Sequence, residues 1–135
     1  MKRIKSLKEL EFFIGGCFGD NEKLHIKEEF YKAWREEGLY SIHVNNQVKE
    51  LKFEGKETLI SSLNQLNILE WERDYWTPVC DGTQWELKLT YNGNLKKHIY
   101  GSNHYPDNFN ELIKILNQFY PFEEVEFLDW TEPNN

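Results

Sequence analysis

Cysteine is scarce in this 135-residue chain: Cys17 and Cys80 are the only two. Two cysteines make no disulfide framework, and their rarity suits a reducing compartment. No run approaches the ~20 apolar residues that a membrane helix needs. The basic start MKRIK is followed by SLKELEFF, not by the continuous apolar stretch of a signal peptide. These absences predict a cytoplasmic location with no membrane partner. Positive charge is also short, with 16 Lys and Arg against 23 Asp and Glu for a net charge of −7. That balance argues against a nucleic-acid partner, because phosphate backbones are held by clustered Lys and Arg. The four histidines are scattered, and neither C-x-x-C nor H-x-x-x-H occurs, so the sequence predicts no metal and no cofactor. A glycine-rich nucleotide loop, a G-x-S-x-G elbow and a kinase-like motif set are all missing.

What is plentiful is aromatic surface. Phe, Trp and Tyr make up 16% of the chain, too many rings for all of them to fit inside a small core, so some are expected to surface as contact area. There are no internal repeats, low-complexity segments or long linkers, and the length matches one domain spanning 1–135. The last residues, 131–135, read as a frayed tail. Lys2, Arg3, Lys5 and Lys8 crowd the N-terminus, and the acidic C-terminal end is the expected place for them to dock.

Periodicity predicts an α+β fold: an antiparallel sheet of about five strands, made of an N-terminal meander and a hairpin over 85–100, with two helices packed on one face. Leu10 to Ile14 reads as a first strand ended by Gly15-Gly16. KLHIKEEFYKAWREE fits both periods, since Ile26, Phe30 and Trp34 recur every four residues while also sharing one strand parity. The strand is preferred because YSIHVNNQVKELKF continues the alternation beyond a turn at Glu37-Gly38. Leu59, Ile60, Leu63, Leu66 and Asn67 form a helical stripe over about 56–69, with Gly55 as N-cap. LEWERDYW then reads as an aromatic connector lidding the core.

In WELKLTY, Trp85, Leu87, Leu89 and Tyr91 share one face, which makes Trp85 a core residue. A three-residue loop over Asn92 to Asn94 pairs Tyr91 with Leu95 and Leu87 with Ile99, matching the apolar faces better than a two-residue Asn-Gly turn. Pro106 suits the first position of a second helix over about 106–119, with Phe109, Leu112, Ile113 and Leu116 as its stripe. The runs DGTQWELKLTYNG and YGSNHYPDNF, with NILEW upstream, resemble a family of small bacterial domains sharing a Trp-Leu-rich strand and a Gly-Ser-Asn…Tyr-Pro…Phe turn into a helix. The resemblance covers about Leu59 to Leu116; it implies the same α+β fold and says nothing about catalysis.

For chemistry, Cys17 in GGCFGD reads as a small packing residue and not as a nucleophile, because no helix start follows to lower its pKa. The carboxylate pairs Glu28-Glu29, Glu36-Glu37 and Glu123-Glu124 are adjacent in sequence and point apart on a strand. No catalytic residue is assigned, and an enzyme is the less favoured class. The first reading is a non-catalytic protein-binding module, a small regulator or immunity-type inhibitor. Its acidic, aromatic-bearing surface, drawn from Trp71, Tyr75, Trp76 and Trp130, would dock on another protein of basic surface. The alternative is a small-ligand or anion site, or an enzyme, built on the Gly101 to Tyr105 turn at a helix N-terminus, with Gly101, Ser102, Asn103, Tyr105 and Lys97 as its residues. Against it stands a purely structural employment of each: Gly101 bends the chain and Asn103 caps the helix.

Overall fold

In the computed structural model, the described residues are 2–16, 21–37, 42–44, 48–76 and 83–126. Expectations about Cys17, Cys80, the turn at Gly38, Trp130 and the tail fall outside them.

Alternating apolar residues build a single mixed sheet of eight strands. They are β1 (Leu7–Gly16), β2 (Asn21–Lys27), β3 (Phe30–Glu37), β4 (Ile42–Val44), β5 (Lys49–Glu50), β6 (Asp74–Trp76), β7 (Thr83–Tyr91) and β8 (Leu95–Ser102). The order is β4-β3-β2-β1-β7-β8-β6, with β5 also pairing with β3. Every pairing is antiparallel except β6 with β8. The sheet thus exceeds the expected five strands, and it is not wholly antiparallel. The segment 24–36 is β-structure, as the alternation predicts, but it is a hairpin and not one strand. Its turn, Glu28-Glu29, holds Glu28 at φ 56°, and neither residue carries a turn signal. Parity therefore resets between β2 and β3. Leu24, Ile26 and Ala33 are buried, while Trp34 lies opposite Lys23 on the other face. β1 also runs longer than Leu10 to Ile14, since ladders on both sides carry it through Gly15 and Gly16.

The β7–β8 hairpin has the three-residue loop the apolar faces require, with Tyr91 opposite Leu95 and Leu87 opposite Ile99. Asn92 (φ 48°) and Gly93 (φ 92°) make its left-handed bend. The Asn92 amide does a second job. Its Oδ1 accepts from the Lys5 and Ser6 amides at 2.7 and 3.1 Å, and its Nδ2 donates to the Arg3 carbonyl at 2.8 Å. Asn64 pairs in the same way with both backbone groups of Ile4. The basic N-terminal segment is held by these two amides, and its lysines stay exposed.

Both helices cover one face of the sheet. α1 (Phe53–Gln65) begins before Gly55, with Lys52 at the N-cap, and is followed by a 3-10 turn at Ile68–Glu70. Its buried residues are those of the predicted stripe, Leu59, Ile60, Leu63 and Leu66, but not Asn67, which adopts a left-handed turn conformation. α2 (Phe109–Leu116) starts three residues after Pro106, with Asn108 at the N-cap. The Pro106 carbonyl instead closes a turn onto the Phe109 amide at 3.0 Å. Phe109, Leu112, Ile113 and Leu116 are fully buried, joining the inward residues of β1, β2, β7 and β8 in one core. No helix among the described residues is long and apolar enough to cross a membrane.

Candidate functional site

In the turn after β8, several polar groups of the expected ligand set already have partners within the protein. Gly101 is pressed against Trp85: a Cβ there would stand 2.3 Å from the indole Nε1. That Nε1 donates to the His104 carbonyl at 2.9 Å. The Ser102 Oγ accepts from Gln84 Nε2 at 2.9 Å. Asn103 sits at φ 56°, where its own amide donates to the Thr83 carbonyl and its Oδ1 accepts from the Thr83 amide, both at 2.9 Å. It extends the β7–β8 ladder with a side chain and caps no helix. Tyr105 is half-buried over Trp85 and Phe109, with its hydroxyl bonded to Thr83. Burial raises its pKa above the ordinary tyrosine value. Lys97 donates to the Trp71 carbonyl at 2.7 Å. The helix itself starts only at Phe109, so its orphan amides do not face this turn. In these contacts the named polar groups of Gly101 to Tyr105 are bonded to β7 and to the turn itself.

Of the expected surface aromatics, Trp71 is a correction: it is 7% exposed and belongs to the core, because the 3-10 turn folds it inward as a lid. Tyr75 is half-buried against Trp85 and His104, and burial likewise raises its pKa. Trp76 stands out at 65% exposed.

Among the described residues no helix covers the opposite face of the sheet, and the strand register arranges its side chains in rows. One row crosses six strands as Trp34, Lys23, Phe13, Glu86, Tyr100 and Asp74. Rings and charges alternate along its whole length. The next row reads Lys32, His25, Glu11, Lys88 and His98. Between them lies a groove of about 360 Å³, lined chiefly by Glu11, Phe13, Lys23, His25, Trp34 and Lys88.

Within this face the cations lean on the rings. Lys23 Nζ lies 5.8 Å from the Phe13 centroid and bonds Glu36 at 3.1 Å, and Lys32 Nζ lies 5.1 Å from the Trp34 centroid. Two histidines meet carboxylates, His25 with Glu9 at 2.5 Å and His98 with Glu86 at 2.6 Å. At the far end, the Tyr100 hydroxyl bonds Asp74, a hydrogen bond that raises its pKa, with the Asp74 charge adding to the effect. Tyr100 is 41% exposed and shares the face with Trp76.

Sequence reasoning missed Phe13, Lys23, His25 and Trp34 as site residues. The available signal was polar parity, which marks a solvated face; which strands lie side by side is a property of the fold. No protein-family model matches the chain, and no curated protein is significantly similar to it.

Proposed function

We propose that the protein is a non-catalytic protein-binding module that receives a basic partner on the face of its sheet that carries no helix among the described residues. The observation that carries this reading is the exposed pair Trp76 and Tyr100, set beside the carboxylates of Asp74 and Glu86 at the β6 end of that face. Exposed Trp and Tyr supply large contact area at little entropic cost, and flanking carboxylates select an Arg or Lys on the partner. The face already uses this chemistry internally, with lysines over Phe13 and Trp34. The net charge of −7 favours encounter with a basic surface.

A photo-crosslinking residue at position 76, compared with one at Lys114 on the helical side, tests the reading in the cells that make the chain. A protein captured only from position 76 is then purified. Its affinity should fall at least tenfold, about 1.4 kcal/mol, in both Trp76→Ala and Tyr100→Ala, and it should weaken with added salt. Equal capture from Lys114, or affinity unchanged in both variants, would remove the basis for the reading.

A further inference from the structure

We infer that Glu9, Glu11 and His25 form a binding site for one divalent transition-metal ion of the class that takes mixed imidazole and carboxylate ligands, such as Zn²⁺ or Mn²⁺. This inference stands apart from the protein-binding reading, which concerns the other end of the sheet. The three ligand atoms lie within 4.8 Å of one another. The backbone fixes that convergence: Glu9 and Glu11 are alternate residues of β1, which is paired on both sides, and His25 lies directly opposite Glu11 on β2. Ligands mounted on a doubly paired ladder are positioned before any ion arrives, so little ordering entropy is lost on binding.

The carboxylates ignore the cations that the register offers them. Lys27 is the cross-strand neighbour of Glu9 and Lys88 that of Glu11, yet among the described residues neither lysine forms an ion pair. Opposite charges facing each other across a ladder stabilise it modestly when they pair. Here Glu9 turns to the imidazole instead, at 2.5 Å, and Glu11 stands beside both with no partner of its own. Two carboxylates and an imidazole nitrogen gathered this closely make a donor set that a divalent cation between them would hold together. Binding requires Glu9 to swing away from His25 and give up their 2.5 Å contact, since neighbouring ligands at ~2.1 Å from a metal must themselves stand apart by more than a hydrogen bond. Three protein ligands leave further coordination positions free. The groove borders Glu11 and His25, so those positions open onto a space of about 360 Å³ that takes water or an anionic ligand between Lys23 and Lys88.

The molecule supplies its own control. His98 and Glu86 make the same imidazole–carboxylate contact, at 2.6 Å, on the same face, and they belong to no such three-ligand group among the described residues. The untagged protein, stripped with a chelator, is titrated with Zn²⁺ and with Mn²⁺ by calorimetry. Co²⁺ is added in parallel, and its visible absorption reports the ligand set. One equivalent should bind per chain and raise the melting temperature. His25→Ala and Glu11→Gln should each weaken binding at least tenfold, while His98→Ala leaves it unchanged. Glu11 is exposed, so Glu11→Gln should retain the wild-type metal-free melting curve and keeps the test valid if His25→Ala is unstable. No stoichiometric binding of any of these ions, or equal weakening by His98→Ala and His25→Ala, overturns the assignment.

Discussion

Replacing Gly101 by alanine is the sharpest test of the packing around Trp85. The added methyl would stand 2.3 Å from the indole Nε1, 2.6 Å from Cε2 and 2.7 Å from the His104 carbonyl oxygen. Contacts that short are not tolerated, so either the ring or the backbone at His104 must move. Moving the ring is restricted, because Trp85 is 1% exposed and packs on Phe109, Tyr75 and Tyr105. Overpacking in such a core costs roughly 1–3 kcal/mol. Any shift also breaks the Trp85 hydrogen bond to His104, leaving a buried donor without a partner for about another 1–3 kcal/mol. Gly101→Ala should therefore lose roughly 2–6 kcal/mol and, for a domain of this size, melt at least about 6 °C lower. Urea unfolding of Gly101→Ala, Trp85→Leu and the double variant forms the assay. Trp85→Leu alone should cost roughly 3–5 kcal/mol as a cavity, and the double variant should lose less than the sum by at least ~1 kcal/mol, because the leucine makes room for the methyl. A loss below about 1 kcal/mol for Gly101→Ala, or full additivity in the double variant, would show that the glycine is not needed for the close approach.

Other expectations follow from single residues. Asn103→Ala should cost about 1–3 kcal/mol by leaving the Thr83 amide unpaired and by putting alanine, which tolerates the left-handed region less well than asparagine, at φ 56°, whereas Asn103→Gly should lose the hydrogen bond without that strain; equal losses measured by denaturant midpoint would refute the strain argument. Glu28→Asn should stabilise by about 0.5–1 kcal/mol, since asparagine enters the left-handed region more readily; a lower melting temperature would count against this. Burial raises the Tyr75 and Tyr105 pKa values, so the unfolded chain ionises first as pH climbs past about 10, and stability present below that pH is lost above it. Melting curves from pH 9 to 11 should fall less steeply for Tyr105→Phe than for the wild type; parallel curves would acquit the buried phenol.

Local alternation and helical spacing determined much of this protein by themselves. The loop of Asn92 to Asn94 was legible because only one register aligns Trp85, Leu87 and Tyr91 with Gly101, Ile99 and Leu95, and a one-residue slip would expose the whole set. The stripes of α1 and α2 were equally plain, since apolar residues three and four apart share one helical face whatever that face meets. Tertiary structure decided the rest. The turn at Glu28-Glu29 carries no glycine, proline or asparagine, so nothing local divides β2 from β3, and ladder pairing alone imposes the left-handed Glu28 and sends Trp34 to the open face. Asn64, Asn92 and Asn103 look like ordinary turn or helix residues, yet each amide completes backbone hydrogen bonds of a distant segment. Glu9, Glu11 and His25 were invisible as a group for the same reason. Side-chain period along a strand is a local property, but which strand lies beside which, and in what register, is fixed only when the whole chain buries its apolar faces together.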